Sequence, residues 1–325
     1  MKFIRQIWAY VVLILLLATI GWITYDHDAI MDWMVLRNYQ APGAIQTLAS
    51  DDTLTPFAQR LFYVNRPQIE GKDDFNKHCT NASDQIIVLG CYTGNRRGIY
   101  LYNVTDSRLA GIEQVTAAHE MLHQAYDRLS RSQRSKVDDL LQKYYASGTT
   151  DEIRSQMASY QKTEPGEQLN ELHSVLGTEV SRLPAELETY YKQYFANRQK
   201  VTSYYEQYQA EFTERQKQIE DYDDQLGTLK AQIDVKRNDL SDKEKSLAAQ
   251  RQQLGTYLSN NQINQYNAAV PGFNAQVNAY RTELDAANAL IVEYNQLLEQ
   301  RNAIAVQEQQ LQQALDSHVS SAGTH

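Results

Sequence analysis

The chain has 325 residues, 22% charged and 42% hydrophobic, which excludes a disordered chain and leaves room for one compact domain with more beside it. A net charge of −9 excludes the basic surface that phosphate backbones require, so no nucleic-acid partner is expected. Tyrosine outnumbers phenylalanine by 22 to 7, which suits amphipathic packing in exposed helices rather than a cofactor site.

The first element is the uncharged run Ile7 to Thr24, with Trp8, Tyr10, Trp22 and Tyr25 near its ends. About 18 apolar residues match the thickness of a bilayer core. Lys2 and Arg5 precede the run and Asp26 and Asp28 follow it. That asymmetry predicts a cytoplasmic N-terminus, a lipid bilayer around residues 7–24, and everything after Tyr25 outside. The run is not followed by a small-x-small cleavage site, so residues 1–25 are expected to stay as an anchor rather than leave as a signal peptide.

Residues 26–75 read as a helical and loop lead-in, punctuated by Pro42-Gly43, Pro56 and Pro67. "QIIVLGCY" (85–92) and "GIYLYNV" (98–104) are β-rich runs on either side of the turn "TGNRR". So short a connection predicts an antiparallel hairpin. Cys79 and Cys91 are the two cysteines, and outside the cytoplasm they predict a disulfide stabilising by about 3 kcal/mol. Their spacing is not the C-x-x-C of a zinc site. His78 beside Cys79 also raises the idea of a pro-segment cysteine that blocks a metal, but a partner thiol so close favours the disulfide.

From about Asp106 the pattern turns helical, with Val115, Ala118, Leu122, Ala125 and Leu129 as a buried stripe. Helices are expected over 131–146, 151–162 and 166–176, the last opened by Pro165-Gly166, and Pro184 opens another. After residue 185 Gln, Glu, Lys, Asn and Tyr dominate. Tyr205, Phe212, Ile219, Leu226, Ile233, Leu240, Leu247 and Leu254 recur every seventh residue, with Tyr208, Tyr222 and Leu229 as companions. A second register, Ile263, Val270, Val277, Leu284, Ile291 and Leu298, has Tyr266, Phe273, Tyr280, Ala287 and Tyr294 as companions and runs through Pro271. The turn therefore belongs near 256–262, and the two arms predict an antiparallel coiled-coil hairpin reaching roughly 75–90 Å. The same seam also admits pairing with another chain. Residues 319–325 read as a frayed tail.

The chemistry lies in "VTAAHEMLHQAYDRL" (115–129). On a helix, residues four apart project on one side, so His119 and His123 can offer two imidazole nitrogens to one metal. Glu120 is close enough to hold and deprotonate the attacking water without being a ligand, which is the HExxH arrangement of zinc peptidases. The bland alternative is two unligated histidines on a helix face.

Over roughly residues 85–180 the chain resembles the zincin metallopeptidases. Zincins place a mixed sheet before the active-site helix, and its edge strand binds extended substrate, so the resemblance implies that role for the hairpin 85–104. The metzincin version is excluded, because Tyr126 and Leu129 stand where it requires glycine and histidine. The gluzincin version takes a glutamate from a later helix, and Asn170-Glu171 resembles the Asn-Glu pair of the thermolysin family. The resemblance thus implies a Zn2+ ion held by His119, His123 and Glu171. Glu167, one turn earlier, is the rival, and His173 points roughly 200° away from Glu171. The separation of His123 from Glu171 is longer than in thermolysin, which leaves the branch open. "HEMLH" and "NELHS" also resemble a group of membrane-anchored bacterial proteins. Beside the metal a transition-state donor is expected, with Tyr126 as the candidate and Tyr160 and His173 as alternatives. Asp127 or Glu179 could orient a ligand histidine.

The expected fold class is α+β and mostly helical. It comprises a transmembrane helix (1–25), a small zincin-like domain with a β-hairpin and active-site helix (26–184), a coiled-coil hairpin (185–318) and a disordered tail (319–325). The expected function is a membrane-anchored zinc metallopeptidase acting on peptide or protein substrates outside the cytoplasm, Glu120 being the base. An alternative of another class is an envelope scaffold that docks a protein partner on the coiled coil, its zinc site structural or inert.

Overall fold

The computed structural model describes residues 27–79, 88–163 and 165–317. The apolar run 7–24, residues 85–87 of the first expected strand and the tail from 319 lie outside them. Among the described residues no helix is long and apolar enough to cross a membrane. The described residues form two compact units, one running to Ala210 and taking in those from Gln313, the other spanning Glu211–Gln312.

The first unit begins with three short helices, α1 (His27–Leu36), α2 (Gly43–Asp51) and α3 (Pro56–Tyr63). Thr55 caps α3 by accepting from the Ala58 N–H, and Pro56 takes the first helical position, where its missing N–H costs nothing. Strand β1 (Gln68–Glu70), α4 (Lys72–His78), β2 (Gly90–Tyr92) and β3 (Ile99–Tyr102) follow. The expected hairpin is present, with Cys91 opposite Tyr100, but β3 also pairs in parallel with β1, giving the order β1-β3-β2. Cys79 and Cys91 form a disulfide with their Cα atoms 5.9 Å apart, tying the end of α4 to β2.

Helices α5 (Ile112–Asp127), α6 (Arg131–Ser147), α7 (Asp151–Thr163) and α8 (Gln168–Thr178) follow, close to their expected bounds. Ser130 and Gln133 close α6 with a reciprocal capping box. The core gathers Ile45, Phe62, Leu101, Met121, Leu122 and Leu176 between α2, α3, the sheet, α5 and α8. It continues past the compositional change at residue 185. Helix α9 (Ala185–Tyr191) buries Leu187 and Tyr191, while Tyr194, Phe195 and Val201 complete the same core. The buried Arg198 donates to the carbonyls of Leu176 and Val180 and to Glu188. Composition places the boundary too early, because a polar-rich segment still buries its few large apolar side chains.

The second unit is an antiparallel pair of helices, formed by α10 (Arg198–Ser259) from Glu211 onward and α11 (Ile263–Leu315) as far as Gln312. Asp223 meets Arg301 at 3.0 Å, Lys243 pairs with Glu283, and Gln250 donates to Gln276, so the two arms face each other in the chain itself. The turn is at Asn260–Gln262, where Asn261 adopts φ 56° and the Gln262 N–H returns to the Tyr257 carbonyl. Pro271 lies inside α11, as expected. Phe212 through Leu254 keep their heptad positions buried or half-buried. On α11 the companion set, Tyr266 through Tyr294, is buried or half-buried throughout, whereas in the first set Val270, Val277 and Leu298 are half-buried and Ile263, Leu284 and Ile291 are exposed. Two helices cover only one narrow strip on each other, and the companion residues are the more evenly covered of the two sets.

Candidate metal centre

Helix α5 passes beneath the sheet and α8 packs across α5. The close approach depends on Gly177, where an added Cβ would come within 2.3 Å of Leu122 Cδ1. At the crossing, the ligand atoms of His119, His123 and Glu171 lie within 4.8 Å of one another. His119 Nε2 is 3.5 Å from Glu171 Oε1, and His123 Nε2 is 3.5 Å from Glu171 Oε2. That is long for a hydrogen bond. It is close to the ~3.4 Å edge of a tetrahedron whose bonds are about 2.1 Å. Glu171 Oε1 is buried with no hydrogen-bond partner, an orphan that a cation at the common point satisfies. The residues present therefore fit a metal ion.

Outer hydrogen bonds prepare His123 as a ligand. Glu167 can only accept, so the Asn170 amide turns its Nδ2 toward Glu167 Oε2 at 3.2 Å. Asn170 Oδ1 then faces His123 Nδ1 at 3.0 Å. The proton must sit on Nδ1, which leaves the Nε2 lone pair directed at Glu171 and the common point. Glu167 thus stands outside the three residues that could hold a metal ion, at the far end of the hydrogen bonds behind His123.

Charge in the centre is strongly coupled. Burial opposes an ionised Glu171, yet the two imidazoles and the Tyr160 hydroxyl outweigh it and hold the carboxyl below its ordinary value. Burial also opposes a charged His119, but Glu171, Glu120 and Glu179 overcome it and push it up to about 9 in the metal-free chain. Burial raises Glu120, against the pull of the two histidines and of the nearby Tyr92 N–H.

Glu120 lies between α5 and the edge strand. Leu89 accepts from the Tyr102 N–H and Thr93 donates to the Gly98 carbonyl, so the alternation of an antiparallel ladder turns the main-chain groups of Gly90 and Tyr92 away from β3. An added Cβ at Gly90 would sit 2.9 Å from Glu120 Oε1 and 2.5 Å from Thr116 Cγ2. This contact requires glycine for space, and no sequence pattern announced it.

Tyr160, not Tyr126, reaches the ligand set: its hydroxyl hydrogen-bonds Glu171. The Tyr126 hydroxyl donates to Asp138 at 2.6 Å, with Arg134 over its ring. His173 is buried among the rings of Tyr126, Tyr190, Tyr191 and Tyr194, with Nε2 on the Tyr190 hydroxyl. Asp127 accepts from the Tyr92 hydroxyl at 3.0 Å, which takes it away from the role of orienting a histidine. Glu179 accepts from Gln156 and Tyr205, and its charge acts on His119. His78 stacks on Tyr100 and bonds Glu70 rather than approaching the metal ligands.

No family model matches the chain, and neither a curated protein nor a solved structure matches it.

Proposed function

We propose that the chain is a zinc-dependent peptidase of gluzincin type, anchored in the cell membrane by residues 7–24, with its centre outside the cytoplasm. The observation that carries this reading is the convergence of His119, His123 and Glu171 on one point, with Glu120 buried beside it at the edge strand. Zinc held by this set supplies Lewis acidity, which acidifies water and polarises a carbonyl oxygen.

The remaining chemistry belongs to the chain. Glu120, raised by burial, takes the proton of the attacking water and returns it to the leaving amine. The Tyr160 hydroxyl, which hydrogen-bonds Glu171, gives up that bond to donate to the oxygen on which negative charge develops. Extended peptide aligns along β2, one of the two edge strands of the β1-β3-β2 order and the one beside Glu120, by main-chain hydrogen bonds. The helical pair is an antiparallel coiled-coil arm that docks substrate or an envelope protein partner.

The test is cleavage of a peptide library by the full chain, beside its zinc content. Glu120→Gln keeps the zinc and loses turnover, and His123→Ala loses the zinc without unfolding. A chain that holds zinc in a closed site and cleaves nothing is the scaffold instead.

A further inference from the structure

Helix α1 is built inside out. Its sequence HDAIMDWMVL is largely apolar, yet its buried residue is Asp32. Ile30, Trp33, Met34 and Arg37 follow the i, i+3, i+4, i+7 spacing of a single helix face. Trp33 is 64% exposed and Met34 43%. Ile30 is half-buried and Arg37 exposed. Asp28 and Asp32 lie on the opposite side. Arg96 Nε reaches Asp32 Oδ1 at 3.0 Å, Arg128 Nη2 the same oxygen at 2.8 Å, and Arg96 Nη2 reaches Asp28 at 2.8 Å. Burying charges to hold down a short helix is an unprofitable way to stabilise a core. It does fix the helix with its apolar face outward.

The chain itself indicates what covers that face. The uncharged run ends at Thr24, three residues before α1 opens at His27. Three residues span at most about 10 Å. A bilayer holding residues 7–24 therefore lies within about 10 Å of the start of α1, next to the Ile30–Met34 part of the stripe. An apolar stripe with a tryptophan and a flanking arginine is the composition of a helix that lies in the headgroup region, sunk about 5–10 Å. A second copy fits less well. The stripe offers at most about 300 Å² of apolar surface, well short of the ~800 Å² per partner of a stable interface.

We propose that the Ile30, Trp33 and Met34 face of α1 lies in the bilayer interface. The Asp32–Arg96–Arg128 contacts then transmit that attachment to the β2–β3 turn and to the C-terminal end of the metal-binding helix. The proposal rests on the reading of residues 7–24 as a span but not on peptidase activity.

The experiment uses the full chain with Trp8→Phe and Trp22→Phe, which leaves Trp33 as the single tryptophan. It is reconstituted in phosphatidylcholine–phosphatidylglycerol vesicles, ordinary or carrying brominated acyl chains. The proposal expects brominated lipid to quench roughly half or more of the Trp33 emission. Adding Ile30→Glu and Met34→Glu abolishes the quenching while the chain still resists carbonate extraction. A chain that resists extraction but shows no quenching overturns the proposal and leaves the span standing. Extraction by carbonate overturns both. A blue-shifted but unquenched Trp33, with Met34→Cys cross-linking between copies, overturns it in favour of a second copy.

Discussion

At the residue scale the proposed centre divides into ligands, supports and proton handlers, and each class fails differently. Asn170 fixes the His123 tautomer through Glu167, so Asn170→Ala should weaken zinc binding by about 10–100-fold without unfolding the chain, as read by competition with a chromophoric chelator. Tyr160→Phe should lower kcat by about 10²–10³-fold if its hydroxyl meets developing negative charge. Tyr126→Phe should instead cost about 1 kcal/mol of stability through the lost Asp138 bond and leave kcat near its parent value. Glu179 gives a pH signature. Burial, opposed by His119, Gln156 and Tyr205, pushes it up to about 7 in the folded metal-free chain. An unfolded glutamate titrates near ~4.3. The folded state thus holds this proton more tightly. Its advantage is complete below the unfolded value and is lost as pH rises through the folded one. With chelator present, the thermal midpoint of Glu179→Gln should therefore fall less between about pH 4 and pH 8 than that of the parent.

At the element scale the site depends on two glycine contacts. Gly177→Ala should destabilise the first unit by about 1–3 kcal/mol, because Leu122 is buried in the core and has little room to yield. Gly90→Ala should leave zinc content intact and lower kcat by about 10²-fold, since it displaces Glu120 rather than a ligand. Neither glycine was legible in the sequence, because close approach is a property of two segments and not of one. Helix α5 was legible, since its stripe and its pair of histidines share one local period. Glu171 could be read only through a family resemblance, and Tyr160 stood as one of two alternatives to Tyr126, because α7 and α8 meet α5 through tertiary packing. Strand β1 went unread, since the three residues of Gln68–Glu70 are too few to show alternation.

At the scale of the whole molecule, the ligands, their supports and the core that positions them all fall in the first unit, while the heptad positions from Phe212 onward define the second. Replacing residues 211–312 with a flexible linker should therefore leave a chain that still binds one zinc. The heptads revealed the two arms and their turn, because sustained periodicity survives any tertiary context. They did not reveal which set on α11 is the more evenly covered, because both sets carry large apolar residues. The account depends most on the metal centre, and zinc-edge X-ray absorption of the purified full chain tests that centre directly. It predicts one zinc per chain with two imidazole nitrogens and a carboxylate oxygen at about 2.0–2.2 Å and no sulfur. Zinc well below one per chain, or a sulfur shell near 2.3 Å, would contradict it.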